Sequence, residues 1–143
     1  MNLVSTSFAP NGRIPTEETC DGANKTPPLE WTGVPADAKS LALVVHDPDA
    51  PRPGGFTHWI LVDIPPEDGK LPPLPAGSRG LPNGAGGTDW TGPCPPPGKP
   101  HHYVFTLYAL NADVQAGANA AATIDNIKQA ASDQAEYVGT YSR

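Results

Sequence analysis

Apolar residues in this chain come in short runs, each closed by proline or glycine. Ser40 to Asp47 (Ser-Leu-Ala-Leu-Val-Val-His-Asp) is an apolar run of strand length stopped by Pro48. It predicts a buried central strand, because a strand covered on both faces shows no polar alternation. Phe56 to Ile64 predicts a second, rich in aromatic and β-branched residues and ended by Pro65-Pro66. Tyr103 to Leu110 alternates clearly and predicts a third. Asn2 to Phe8 carries Leu3, Val4 and Phe8 among Ser and Thr, a weaker first strand, and Leu29 to Thr32 a short one before Gly33. Ala9 to Pro28 is polar and punctuated by Asn11-Gly12, Asp21-Gly22 and Pro27-Pro28, which predicts loop. Ala118 to Glu136 is Ala-rich, with Ile124, Ile127 and Ala131 at helical spacing and Thr123 or Asp125 as the starting cap. Tyr137 to Tyr141 then returns as an edge strand. Short strands, many turns and one late helix predict a mainly β fold: a Greek-key antiparallel β-sandwich with a peripheral C-terminal helix.

Length changes little in that picture. A chain of 143 residues is expected to form one domain, residues 1–143. At that size folding buries roughly two thirds of the surface that the unfolded chain exposes. The 19 Pro and 15 Gly residues belong with ordered loops between strands, not with a collagen-like repeat. Pro65 to Pro100 holds most of them. A connection of that length is expected to be functional or to wrap a surface.

Charge removes whole classes of partner. The formal net charge is −6 and the nine Lys and Arg residues are scattered. Nucleic-acid binding needs clustered positive charge to displace phosphate counterions, and none is present. An anionic membrane surface is equally unsupported. No apolar stretch approaches the ~18 residues of a membrane span, and the N-terminus lacks the basic start and apolar centre of a signal peptide. A cytoplasmic location is expected, with the oligomer open between monomer and homodimer. The two cysteines, Cys20 and Cys94, lack metal-knuckle spacing. They could be reduced thiols or close a long disulfide loop.

Two segments carry the candidate chemistry. Asp47-Pro48-Asp49-Ala50-Pro51-Arg52-Pro53-Gly54-Gly55-Phe56-Thr57-His58-Trp59-Ile60 is a stiff acidic turn followed by a His-bearing strand. Each Pro fixes its own φ and restrains its predecessor, so the carboxylates are aimed rather than mobile. Ala50-Pro51 is a candidate cis bond. Turn aspartates commonly accept N–H bonds within the turn, a role expected more of Asp49 than of Asp47. Phe56 lies two residues before His58 and shares its face of a regular strand. Gly92-Pro93-Cys94-Pro95-Pro96-Pro97-Gly98-Lys99-Pro100-His101-His102-Tyr103 repeats the design. His101 and Tyr103 point one way and His102 the other.

Together these segments resemble the two signature stretches of the phosphatidylethanolamine-binding protein family, in its bacterial and archaeal branch. Thr19-Cys20-Asp21-Gly22, Pro27-Pro28-Leu29-Glu30-Trp31 and the closing Tyr137-Val138-Gly139-Thr140-Tyr141-Ser142-Arg143 extend the likeness over almost the whole chain. The resemblance implies the sandwich fold and a pocket built from Asp47, His58, Gly92, Pro93, His101 and Tyr103, with Phe56 beside it. Asp49 and His102 receive lesser roles. Cys94 stands where the family carries the second Pro of Gly-Pro-Pro. Ser132 stands near the place of a His found in the late helix of many bacterial relatives, and the insertion of eukaryotic members is missing.

The site so assembled is small and of mixed sign. His58 and His101 can donate to a phosphate or acetate, and Asp47 can accept from an amine or hydroxyl. That suits a small anion or a phosphorylated phospholipid headgroup. Nothing in the sequence marks an acyl-chain tunnel. An enzyme would need a nucleophile, and Cys94 is the one candidate near a His. The expectation is a non-enzymatic binding protein, without metal or cofactor. The alternative is an interaction protein that inhibits a serine protease or modulates a kinase through the Pro65 to Pro100 loop.

Overall fold

Both central apolar runs form the strands expected of them, and both are covered on two sides. The computed structural model describes residues 1–143. In chain order the strands are β1 (Asn2–Ser5), β2 (Leu29–Thr32), β3 (Ser40–Asp47), β4 (Phe56–Ile64), β5 (Gly69–Leu71), β6 (Arg79–Leu81), β7 (His101–Leu110) and β8 (Ala131–Tyr141); helix α1 (Ala120–Ala130) precedes β8. A single 3₁₀ turn covers Thr16–Glu18.

The strands form two antiparallel sheets, one ordered β1-β2-β5 and the other β6-β4-β3-β7-β8. This is the antiparallel sandwich that the patterning predicts. The inner core joins Leu3, Leu29, Trp31 and Leu71 of the small sheet to Leu41, Leu43, Val45, Leu61, Phe105 and Leu107 of the large one. The outer face of the large sheet carries a second cluster. Ala42, Val44, Ile60, Tyr108 and Leu110 lie there under Val114 and Ile127 of the α1 region. Two-sided burial explains why β3 and β4 read as continuous apolar runs.

Several boundaries differ from expectation. The helix starts at Ala120, capped by Asn119, whose side chain accepts the Ala122 N–H at 2.9 Å. Thr123 sits inside the first turn, buried, its hydroxyl bonded to the Asn119 carbonyl. Residues 131–136, expected as helix, instead continue β8 and pair with β7 from Leu110 to Thr106. A short Ala-rich segment is a marginal helix. The ladder along the exposed side of β7 outweighs that preference, because an unpaired strand edge leaves its N–H and C=O groups without partners.

β1 ends at Ser5, whose hydroxyl donates to the Pro28 carbonyl as the chain bends away. The Pro65 to Pro100 segment is not one free loop. β5 pairs with β2 and β6 with β4, leaving Leu74 as the one large apolar side chain exposed, at 52%. The cis peptide bonds are Leu71-Pro72 and Pro72-Pro73, so Ala50-Pro51 is trans.

Candidate functional site

Asp47 ends β3 and begins an Asx turn. Its Oδ1 accepts the Asp49 N–H at 2.8 Å, and its Oδ2 accepts from His101 Nδ1 at 2.7 Å. The turn-internal role expected of Asp49 thus belongs to Asp47. The Asp49 carboxylate reaches across to β7, where it accepts the His102 backbone N–H and pairs with the His102 ring, both at 2.7 Å. Those bonds, ring first, hold the Asp49 carboxyl below the usual carboxylate value. His102 points away from the pocket as alternation requires, yet it clamps the start of β7 to the turn. Each Asp47 oxygen already accepts one bond, from the turn and from His101, which leaves one lone pair on each for an incoming donor.

His58 reaches the same place by an irregularity. Val45 pairs with Trp59, but His46 pairs with Thr57, so His58 is an extra residue in β4. Strict alternation from inward Trp59 and Leu61 and outward Ile60 would place His58 outward. The bulge turns it inward, as bulges beside functional sites often do. Its ring lies 5.2 Å from that of Tyr103 and 4.8 Å from that of Phe56, both edge-on. His58 Nδ1 donates to the Thr91 carbonyl at 2.6 Å. A carbonyl only accepts, which fixes the tautomer: the proton is on Nδ1, and Nε2 has no protein partner. Burial pushes the His58 pKa down. The Thr91 bond and Asp47 pull the other way, and His46 and His101 add to the fall.

Asp47, Phe56, His58, Gly92, His101 and Tyr103 all line one cavity of about 350 Å³, with Thr91, Cys94 and Arg52 at its walls. Tyr103 is fully buried and its hydroxyl has no hydrogen-bond partner. Burial first, then Asp47 and Asp49, raise its pKa, so the phenol keeps its proton. Pro93 lies behind the wall, its carbonyl accepting the Cys20 N–H. Gly92 is required on the side away from the cavity. A Cβ there would stand 2.3 Å from Asn24 Oδ1 and 2.5 Å from the Glu18 carbonyl. The close approach that requires glycine is made to the residue 18–24 loop.

That loop holds the wall covalently as well. Cys20 and Cys94 are joined in a disulfide with Cα atoms 5.5 Å apart. Gly92 N–H donates to Asn24 Oδ1, and Arg143 pairs with Asp21 at 3.1 Å.

Sequence reasoning missed four contributors. Thr91 supplies the carbonyl that orients His58. Asn83, buried, donates to the His58 carbonyl and the Thr91 hydroxyl while its own oxygen accepts from Ala85 and Gly87 N–H groups. Asn24 orders Gly92. Arg52 lies over the Phe56 ring, 4.8 Å from its centroid, and brings a cation to the rim. Arg52 stands within the first signature segment, and Asn83-Gly84 is a visible turn signal. Nothing in the sequence points to Thr91.

A wider groove of about 980 Å³ crosses the outer face of the large sheet beside α1. Its His46 has both nitrogens engaged, with Thr57 Oγ1 at 3.0 Å and the Gly54 carbonyl at 2.8 Å. The smaller cavity, with two imidazole nitrogens and a phenol unpartnered, is the candidate site.

Comparison with known proteins agrees with the fold and adds the lineage. A UPF0098 protein of Methanothermobacter thermautotrophicus is 42% identical over 152 residues, spanning 100% of this chain and 99% of its own length. A Mycobacterium tuberculosis protein named as a lipoprotein, LppC, is 44% identical over 146 residues, covering 99% of this chain and 72% of LppC. The crystal structure of Escherichia coli YbcL, described as a member of the mammalian PEBP family, superposes with a TM-score of 0.90 at 32% identity. The superposition covers 99% of this chain and 98% of YbcL. The profile of the phosphatidylethanolamine-binding proteins matches residues 4–142. With sandwich, signature segments and relatives in agreement, the chain belongs to the phosphatidylethanolamine-binding protein family.

Proposed function

We propose that the cavity receives a small oxyanion, of phosphate type or the phosphorylated headgroup of a lipid, and that the protein binds it without transforming it. The observation that carries this reading is the Tyr103 hydroxyl: a buried donor with no partner, on the wall of a cavity that two imidazoles also line. A buried polar group without a partner costs about 1–3 kcal/mol. An oxyanion would supply the missing acceptor. His101, held through Nδ1 by Asp47, turns Nε2 outward as a second donor when the ring is cationic, and Arg52 adds positive charge at the rim.

Two further observations shape the proposal. The Cys94 thiol, the one nucleophile the sequence offered, is consumed in the disulfide, which favours binding over catalysis. Structural disulfides persist mainly in oxidising compartments. With a lipoprotein-named relative, this favours an oxidising location over the cytoplasm expected from the sequence. No helix is long and apolar enough to cross a membrane.

Titration with inorganic phosphate and with phosphoethanolamine, followed through the histidine resonances, tests the proposal. His58 and His101 are expected to shift together and to saturate, while His46 moves less. Unmoved His58 and His101 resonances at millimolar ligand would overturn it.

A further inference from the structure

His58 was expected to donate to an anion, and its geometry says otherwise. The ring proton sits on Nδ1, spent on the Thr91 carbonyl at 2.6 Å. What His58 turns to the cavity is therefore Nε2 with its lone pair, an acceptor. The ring is held in this pose. Asn83 ties the His58 backbone to Thr91, and Phe56 and Tyr103 pack against its two sides. Turning the ring over would leave the Thr91 carbonyl without its donor.

Resting on the oxyanion reading above, we propose that the cavity selects oxyanions that still carry a proton: a P–OH group donates to His58 Nε2 while the unprotonated oxygens accept from Tyr103 Oη and from Nε2 of a cationic His101, paired with Asp47. Hydrogen phosphate meets that pattern. Sulfate, with the same tetrahedral shape and the same double charge near pH 8, has no proton to give and sets an oxygen lone pair against the nitrogen lone pair. It binds only after His58 takes up a proton, which burial opposes. The titratable and charged groups around the ring are Asp47 at the end of β3, His101 and Tyr103 on β7, His46 on the far side of β3, and Arg52 above Phe56.

The rule also sorts sources of phosphate. A phosphomonoester such as phosphoethanolamine loses its last proton near pH 6, so its binding should fade as pH rises above that value. A phosphodiester has no such proton at any pH, so an intact phosphatidylethanolamine headgroup is disfavoured relative to the free monoester.

Calorimetric titration of the intact protein at about pH 6, 7 and 8 tests this. The probes are inorganic phosphate, sulfate, phosphoethanolamine and glycerophosphoethanolamine. Phosphate should exceed sulfate by roughly 10- to 100-fold at the highest pH, the cost of one unsatisfied buried group. Relative to phosphate, which shares any need for the His101 proton, sulfate affinity should fall about tenfold per pH unit above the His58 pKa, the slope of one linked proton. Equal affinities with parallel pH profiles would overturn the proposal while leaving the oxyanion reading intact; failure of every probe would sink that reading itself. His58→Gln presents an amide that can either donate or accept, so the phosphate-to-sulfate ratio should collapse toward unity, and a ratio unchanged in the folded variant counts against the proposal. Should the variant not fold, long-range ¹H–¹⁵N correlation on the unaltered protein decides. A bare Nε2 at about pH 7.5 supports the proposal, and a protonated Nε2 with a bare Nδ1 overturns it.

Discussion

Glu18 sits where a carboxylate is poorly served. It is 3% exposed, and the one side chain donating to it is Ser7, whose hydroxyl reaches Oε1 at 3.1 Å. Burial raises its pKa against that bond, and Glu17 adds to the rise. A raised carboxyl pKa means that the native state binds more protons than the unfolded state. Its stabilising share is complete below the unfolded pKa and is lost as pH rises through the folded one. Glu18→Gln keeps an acceptor for Ser7 and removes the charge. It should raise the melting temperature by ~1–3 °C at neutral pH, and the gain should vanish in acid. A thermal melt at each pH checks this. A gain over the parent protein no larger at neutral pH than at pH 4 would contradict the assignment. Tyr103→Phe makes the complementary case. It deletes a hydroxyl without a partner, so the fold should lose nothing and could gain up to ~1 kcal/mol. Phosphate affinity should nevertheless fall about 5- to 10-fold, as for the loss of one hydrogen bond. Loss of stability with binding intact would assign the hydroxyl a structural role.

At the scale of elements, the cavity wall depends on contacts far apart in sequence. Cys20 and Cys94 are 74 residues apart, and in the chain-entropy account a link of that length stabilises by about 4–5 kcal/mol before any strain. Replacing both by serine should lower the denaturation midpoint by an amount of that order. It should also weaken phosphate binding, because Thr91 to Pro96 would be left to single hydrogen bonds: His58 and Asn83 to Thr91, Gly92 to Asn24, Cys20 N–H to the Pro93 carbonyl and Arg143 to the Pro95 carbonyl. Comparing the oxidised protein with its reduced form by denaturant titration and by phosphate calorimetry measures both effects. A reduced protein with unchanged affinity would show that the hydrogen bonds alone position the wall. Much of this arrangement was legible in the residues. β3 and β4 were placed correctly because apolar runs stopped by proline leave no ambiguity. Asp47, His58, Gly92, His101 and Tyr103, grouped by the motif likeness, line one cavity with Phe56, grouped with His58 by its two-residue spacing, while Pro93 of the same grouping lies behind the wall. The local chemistry was less legible. Periodicity sends His58 to the wrong face, because a bulge is a property of the pairing and not of one strand. Asp47 took the turn bond expected of Asp49 while keeping its place on the cavity wall, because both carboxylates fit a turn and only the position of β7 decides between them. The first half of β8 hid inside an Ala-rich stretch whose partner strand lies over twenty residues away.

Across the whole molecule, the large sheet separates two jobs. Its inner face carries the main core and, at one end, the cavity. Its outer face carries a smaller cluster covered by α1. The helix therefore does not cover the candidate site, and Ser132, where the family's late-helix His would stand, lies on β8. Ile127 is the apolar helix residue fully buried against the outer face, with Ile124 partly buried beside it. Ile127→Ala removes buried methyl groups and leaves a cavity, a change that costs ~2–5 kcal/mol in well-packed cores. The loss should come with a phosphate affinity within about twofold of the original, since no residue of α1 lines the smaller cavity. Amide exchange should show the helix and the adjoining part of β8 losing protection first, while β3 and β7 near Asp47 and His101 hold theirs. If Ile127→Ala weakened phosphate binding in step with stability, the two faces would be one cooperative unit. Pocket geometry would then depend on the whole sandwich and not on the turn, the bulge and the disulfide that frame it.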